Sequence, residues 1–402
     1  MVKTNPWLRS LVRAGQQQQR STARALEILL TPPKPARAKT ANKAKAKPAV
    51  AKKRATPSAS SAPSVTPVFS PTLGASFQRA PKTATVQRAP LAAPPPARGK
   101  WLTAHHTGPA ELGGGTRRMR YWLYLPDQAV PAAGFPLVVM LHGCDQSATA
   151  FAQGTRMNRH ADRAGCAVLY PQQSMAAHPH RCWHWFDRAS QQGNGEAATI
   201  VALIRKVQDS YPIDRTRVYV GGLSAGAAMA NILALNYPEL FAAVGLHSAP
   251  LFGAGHGNVA ALGVMRHGAS SRAGGAIAEV LNRNRTFPSM PTLLIQGEED
   301  PVVRLVNQTQ LEQQAMLLNR LAPGSRVDLT SKPGTRNSHP YSVRDVYQGK
   351  AVMLRVVRIA ELKHAWSGGD ESVSFHCGAG PDASQMLLAF FAKHRRGVGS
   401  AT

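Results

Sequence analysis

A serine, an acid and a histidine, met in that order along the chain, carry the chemistry that this sequence is equipped to do. Ser224 lies in Gly221-Gly222-Leu223-Ser224-Ala225-Gly226. A β-branched and aromatic run, Val218-Tyr219-Val220, precedes it, and an Ala/Leu/Met-rich stretch follows to Asn236. The pattern is strand, G-x-S-x-G, helix. A serine hydroxyl is a weak nucleophile unless a base takes its proton and the backbone holds it out into a cleft. A tight strand-to-helix turn does the holding. Gly222 and Gly226 flank the serine because a Cβ at either place would collide as the turn closes. The first helical N–H, that of Ala225, then points to where a carbonyl oxygen would gain negative charge.

Such a serine needs a base and a group that orients the base. Residues 291–296 (PTLLIQ) predict a strand, followed by Gly297-Glu298-Glu299-Asp300. A carboxylate just past a strand end is placed to orient a histidine and stabilise its imidazolium. Asp300 fits best, with Glu298 and Glu299 as alternatives. The competing role for any of the three is to cap a helix predicted over 303–321. Residues 352–362 predict a last strand, and His364 follows in Lys363-His364-Ala365-Trp366. A histidine there, ahead of a closing helix at 384–394, stands where the general base belongs. The order Ser224, Asp300, His364 is that of the α/β-hydrolases.

Residues 135–141 (FPLVVML) form an apolar run of buried-strand length, ending in His142-Gly143-Cys144-Asp145. The loop after that strand should supply the second backbone oxyanion donor, Cys144, with Asp145 as the alternative. His142 sits in a strand-end turn ahead of the serine, where a supporting role is expected rather than that of base. A strand over 166–170 leads to Trp183, Trp185 and Phe186. Burial in the core is the bland fate of such a cluster. Its position past a strand end points instead to the cleft, so Trp183 and Trp185, with Trp366, are candidate substrate-binding residues. A strand is also expected over 120–125 and another over 242–246, and helices over 148–164 and 196–211. Residues 252–287 are Gly-, Ala- and Arg-rich with little period, in a position that often holds an insertion over the active site.

The remaining quarter of the chain differs in kind. The 402 residues hold 48 Lys/Arg against 21 Asp/Glu. Nineteen of the basic residues and Glu27 alone fall in residues 1–100, which carry +18 and leave +9 for the rest. Residues 1–31 have basic and apolar patches that suit an amphipathic helical segment, interrupted by QQQQR. Residues 32–100 are a Lys/Ala/Pro and Ser/Pro/Thr tract, too poor in apolar surface to offset chain entropy, and are expected to be disordered. Their reach is on the order of 50 Å. They should bind polyanions or an anionic surface weakly and without specificity, through counterion release, or serve as a spacer. No run approaches the roughly 18 apolar residues of a membrane span, and no signal peptide is read, since 26–30 is too short an apolar core. The four cysteines fit neither a zinc motif nor a disulfide scaffold. No cofactor or metal is called for.

Four motifs, LHGCDQ at 141–146, RCWHWF at 181–186, GLSAGAAMA at 222–230 and HAWSGG at 364–369, resemble in this order the polyhydroxybutyrate-depolymerase-type esterases. Feruloyl and acetylxylan esterases are close relatives of that family. The resemblance covers about residues 105–394. It implies an α/β-hydrolase fold, a mostly parallel sheet with helices on both faces, over a catalytic domain at 101–396. It also implies a triad of Ser224, Asp300 and His364, with Cys144 and Ala225 N–H groups at the oxyanion hole. Two departures lie beside the chemistry: ELK precedes His364 where the family commonly has Gly, and Gln296 stands where many members have His. Cys144 and Cys182 flank the presumed cleft and could form a disulfide if the chain is exported.

The expected activity is that of a serine carboxylesterase on poly-3-hydroxybutyrate or its oligomers. One rival is a feruloyl or acetylxylan esterase on plant polysaccharide. A rival of another class is a polyanion- or granule-tethering protein whose hydrolase domain is inert. A cytoplasmic, granule-associated location is slightly favoured over an extracellular one, and the oligomeric state is left open.

Overall fold

A computed structural model describes residues 97–397, apart from 111–115 and 270–272. The helical segment expected within 1–31 and the tract from 32 to 96 lie outside the described residues. In chain order the elements are β1 (Lys100–Ala110), β2 (Thr116–Leu125), β3 (Phe135–Leu141), α1 (Ala148–Thr155), α2 (Met157–Ala164), β4 (Ala167–Gln172) and α3 (Arg188–Gln191). Then follow α4 (Glu196–Ser210), β5 (Ile213–Leu223), α5 (Ala225–Asn236), β6 (Ala243–His247), α6 (Asn258–His267), α7 (Ala273–Arg283) and β7 (Thr292–Gly297). The last are α8 (Val306–Leu318), β8 (Val327–Lys332), β9 (Tyr341–Gln348), β10 (Ala351–Ile359), the short pair β11 (Trp366–Ser367) and β12 (His376–Cys377), and α9 (Ala383–Phe391).

Ten strands form one sheet in the order β1-β2-β4-β3-β5-β6-β7-β10-β9-β8. From β4 through β10 every pairing is parallel. Antiparallel pairs flank that block on both sides. This is the α/β-hydrolase architecture, with helices on both faces. The central strands are buried on both sides, so they read as continuous apolar runs rather than alternating ones. In β3, Leu137, Val139 and Leu141 face a core shared with α4 to α8, including Ile200, Met229, Ile277 and Leu311. Val138 and Met140 face the opposite core, with Phe151 of α1, Met157 of α2 and Leu387 of α9. Each such residue contributes about 1.5–3 kcal/mol by burial, which fixes the register of the strands that carry the site.

The helix expected over 148–164 is two helices. Arg156 adopts a left-handed conformation, φ 53°, and its N–H bonds Gln153 O, closing α1 before α2 begins. The stretch 252–287 contains α6 and α7. Two helices explain its Ala content, and their short length explains the faint period. No described helix is long and apolar enough to cross a membrane.

Candidate active site

Ser224 is the hinge between β5 and α5. Its backbone has φ 56° and ψ −122°, a region that costs a non-glycine residue about 1–3 kcal/mol and persists only where its surroundings hold it. The holding contacts are explicit. Ser224 N–H donates to His247 O at 2.9 Å, and Ser224 O accepts from Ala228 N–H at 3.0 Å. The turn is also packed against the end of β3. A Cβ on Gly222 would run into Leu141 O and lie 2.7 Å from the carbonyl carbon of Gly226. One on Gly226 would meet Leu141 O and lie 2.5 Å from His142 O. Both glycines are therefore required by backbone approach. Ala225, as the first helical residue, has an N–H with no partner inside α5, at the positive end of the helix dipole.

Strand register brings the other candidates to the same edge. Leu141 pairs with Gly222, Leu223 with His247, His247 with Ile295, and Gly297 with Ile359. The loops after β3, β5, β6, β7 and β10 thus leave the sheet in one row. The loops after β7 and β10 are tied to each other: Glu298 N–H donates to Ile359 O and Glu299 N–H to Leu362 O. That places Asp300 beside His364, whose Nδ1 lies 2.7 Å from Asp300 Oδ2. Asp300 is buried, whereas Glu298 and Glu299 are exposed. Its second oxygen, Oδ1, accepts the N–H groups of Val302 and Val303, both at 2.9 Å. The carboxylate therefore pins its own turn while it meets the histidine. Burial alone would raise its pKa. The hydrogen bond and charge of His364 and the two backbone N–H groups outweigh burial and hold it below the ordinary carboxylate value.

The loop after β3 is fixed from several sides. Gly143 N–H donates to Gln146 Oε1 at 2.8 Å. Cys144 is disulfide-bonded to Cys182. Asp145 N–H donates to His180 O at 2.6 Å, so of the two candidates that N–H is committed. His142 is fully buried, with Nδ1 donating to Gly143 O at 2.8 Å and Nε2 accepting from Gln173 N–H at 3.1 Å. Burial lowers its pKa to about 4. A neutral imidazole with both nitrogens occupied is a brace, not a base. Closing a 38-residue separation, the disulfide should contribute about 2–4 kcal/mol. Cys144→Ala/Cys182→Ala is expected to lose that amount in urea unfolding; a loss below about 0.5 kcal/mol would show that the hydrogen bonds alone hold the loop.

The tryptophan assignments are corrected by burial. Trp183 is fully buried and donates its ring N–H to His142 O at 3.0 Å. Trp366 is fully buried, donates to Ser384 Oγ at 3.2 Å and stacks on His247. Trp185 is 4% exposed, edge-on to Phe186. All three rings are buried, Trp183 and Trp185 in the core that β3 shares with α4 to α8 and Trp366 in the opposite core. Four positioning residues went unread in the sequence. His247 takes the Ser224 N–H on its carbonyl, and its Nε2 takes the Ser367 N–H at 3.3 Å, so it bridges the serine turn and the His364 loop. Gln296 donates to Asp300 Oδ2 at 3.0 Å and to Val303 O at 2.8 Å. Gln146 is the third. The fourth, Glu196, is buried and accepts from His184 N–H at 2.8 Å and Gln173 Nε2 at 2.5 Å, and pairs with His184 Nδ1 at 2.6 Å. Only Gln146, inside LHGCDQ, and Gln296, a departure from family pattern, carried a signal.

The Glu196–His184 pair makes a pH prediction. For Glu196, burial opposes ionisation, but the hydrogen bond and charge of His184 prevail and lower its pKa. The same hydrogen bond, ahead of burial, raises that of His184. The glutamate's contribution is present above about pH 4.5 and lost below its depressed pKa; the histidine's is full below about pH 6.5 and lost as pH rises through its raised pKa. Glu196→Gln should therefore destabilise the fold more at pH 5.5 than at pH 9. Equal losses in urea unfolding at the two pH values would remove the ion pair from the account.

The chain matches, over residues 119–332, the model of the family described as esterase PHB depolymerase. It belongs to that family. Among relatives of this esterase family member, poly(3-hydroxyalkanoate) depolymerase C of Paucimonas lemoignei is 39% identical over 111 residues, 27% of each chain. Feruloyl esterase B of Neurospora crassa is 33% identical over 138 residues, 34% of this chain and 46% of that one. Acetylxylan esterase A of Emericella nidulans is 30% identical over 135 residues, 33% and 43%. The chain spans between about a quarter and a half of the length of these relatives. In fold it is similar to an acetyl xylan esterase from Aspergillus awamori, with TM-score 0.56 at 16% identity, covering 72% of this chain and 99% of that one. Among the described residues no three His, Cys, Asp or Glu side chains group so as to hold a metal ion.

Proposed function

We propose that this member of the esterase PHB depolymerase family is a serine carboxylesterase with Ser224 as nucleophile, His364 as base and Asp300 as orienting acid. The observation that carries this reading is the 2.7 Å contact of a buried carboxylate with His364 in the row of strand ends that begins α5 at Ser224. With Nδ1–H given to Asp300, His364 keeps its lone pair on Nε2, the tautomer that takes a serine proton. Ser224 Oγ then attacks the ester carbonyl. The N–H groups of Ala225 and Cys144 stabilise the tetrahedral oxyanion. The imidazolium returns its proton to the leaving alcohol, which departs and leaves an acyl-serine. Water, deprotonated by the same imidazole, attacks the acyl carbon, and the acid leaves as Ser224 is reprotonated.

The substrate we favour is poly-3-hydroxybutyrate or its oligomers. Two observations support it: the similarity to a poly(3-hydroxyalkanoate) depolymerase, and exposed apolar side chains on segments that adjoin the site. Val302 is two residues past Asp300, Phe375 follows the Ser374 carbonyl that Gln146 Nε2 reaches, and Met175 is two residues past Gln173; all three are more than a third exposed. A feruloyl or acetyl ester on polysaccharide is the second reading, favoured by longer matched spans to such esterases. The Cys144–Cys182 bond favours an oxidising compartment over the cytoplasmic location first expected. Acid release from amorphous polyhydroxybutyrate, a feruloyl ester and a short p-nitrophenyl ester separates the readings. Polymer turnover is expected. Turnover of the feruloyl ester alone would move the substrate to polysaccharide esters, and no turnover of any would overturn the enzyme reading.

A further inference from the structure

Three of the four cysteines are accounted for. Cys144 and Cys182 are bonded to each other, and Cys166 is buried, which pushes its thiol up to about 11. Cys377 is free and only half-buried, and it is not alone. Its Sγ lies 3.6 Å from His339 Nε2. On the far side of that ring, Nδ1 lies 3.2 Å from Glu361 Oε2. A carboxylate can only accept, so Nδ1 carries the proton and Nε2 presents its lone pair to the thiol. The base is also anchored. His339 N–H donates to Gly380 O at 2.9 Å, and the neighbouring Pro340 O accepts from Ala360 N–H at 2.9 Å. A nucleophile, a base within hydrogen-bond reach and a third group that orients the base form the arrangement that activates a weak nucleophile. It sits beside the His364 loop, since β12 pairs with β11, and the ester hydrolysis proposed above has no use for it.

We propose that Cys377 is a reactive thiol that exchanges with low-molecular-weight disulfides, with His339 as its base and Glu361 orienting the imidazole. His339 Nε2 takes the thiol proton. The thiolate attacks one sulfur of the incoming disulfide; that S–S bond breaks as the new one to Cys377 Sγ forms. The leaving thiolate takes its proton from the imidazolium. The exchange needs no further oxidant, because the incoming disulfide is itself reduced to one free thiol and one bound half. Its partner class is therefore a small soluble disulfide such as oxidised glutathione. The side chain of His339 is 20% exposed and that of Glu361 66%, so the rim is open to such a molecule.

The full chain, native and without reductant, is treated with dithiobis-nitrobenzoate, and thiolate release is followed. One fast thiol is expected, absent in Cys377→Ser. His339→Gln should slow it about tenfold at pH 7, where an unassisted thiol is only a few per cent thiolate. The gap between the two rates should narrow in strongly alkaline solution, where hydroxide can do the work of the base. Oxidised glutathione should leave a single adduct, on the peptide that holds Cys377. If His339→Gln fails to fold, Glu361→Gln at its exposed position and the wild-type chain decide. The wild-type thiol at pH 7 should react faster than Cys377 in the urea-unfolded Cys166→Ala chain. A native thiol no faster than the unfolded one, or a folded His339→Gln as fast as wild type at pH 7, would overturn the proposal.

Discussion

Ser224→Ala is expected to lower ester turnover by about 10⁴ to 10⁶ while leaving the fold intact. The size follows from what remains. Without Oγ no acyl-enzyme forms, and the residual rate is what the Ala225 and Cys144 N–H groups give to direct attack by water. The fold should survive because Oγ takes no part in holding the turn. Ser224 is held by its own N–H and carbonyl, to His247 O and Ala228 N–H, and alanine keeps both. It also keeps the strain of φ 56°, so the thermal midpoint should stay within about 2 °C of wild type. Hydrolysis of a short p-nitrophenyl ester, beside a thermal melt of the same sample, checks both halves. A folded variant within tenfold of wild-type turnover would take the nucleophile role from Ser224.

The central sheet and the serine turn were legible because their signals are local. A strand buried on both faces must be apolar throughout, so β3, β5 and β7 stand out as runs. Gly222 and Gly226 are demanded by carbonyls of β3 within 3 Å of where a Cβ would be, and spacing alone exposes that demand. The sheet edges were not legible. Strand β1 (KWLTAHHTGPA) and strands β8 (VDLTSK) and β9 (YSVRDVYQ) were left unassigned. One face of such strands meets solvent, so charged and polar residues interrupt the run, even though each pairs with a strand next to it in sequence. Arg355 of β10 meets Asp345 of β9 at 2.7 Å, an ion pair that no local pattern announces.

The site divides in the same way. Ser224, Asp300 and His364 were expected from type and position past a strand end, and the fold brings the last two within 2.7 Å of each other. The residues that brace them were missed because contacts made in the fold, not residue type, define them: the His247 carbonyl on Ser224 N–H, the Gln146 amide oxygen on Gly143 N–H, and the Gln296 amide on the Asp300 carboxylate. The tryptophans failed for a related reason. Position past a strand end places a residue near the site, yet it does not say whether the side chain points into the cleft or beneath it. Trp183 and Trp366 point beneath, each with its ring N–H satisfied inside the core.

Asp300→Asn should lower turnover by about 10³ to 10⁴, and the hydrogen bonds at the carboxylate say why. All four neighbours of the carboxylate are donors: Val302 N–H and Val303 N–H on Oδ1, His364 Nδ1 and Gln296 Nε2 on Oδ2. An amide has one oxygen. If that oxygen keeps the two backbone N–H groups, the amide NH₂ faces His364, whose Nδ1 must then accept. The proton moves to Nε2, and the nitrogen that should take the serine proton is blocked. If the amide turns the other way, its NH₂ faces two backbone N–H groups in a buried turn, which costs about 1–3 kcal/mol for each unsatisfied donor. The first arrangement is the cheaper, so the loss should appear in kcat with little change in KM. The wild-type carboxylate, held below the ordinary value, is ionised throughout the neutral range. Its stabilising contribution is therefore complete above about pH 4 and is lost only as pH falls through its depressed pKa. Stopped-time assays across pH 6 to 9 should show the variant slow at every point. A folded variant within tenfold of wild type at any of them would mean that another group orients His364.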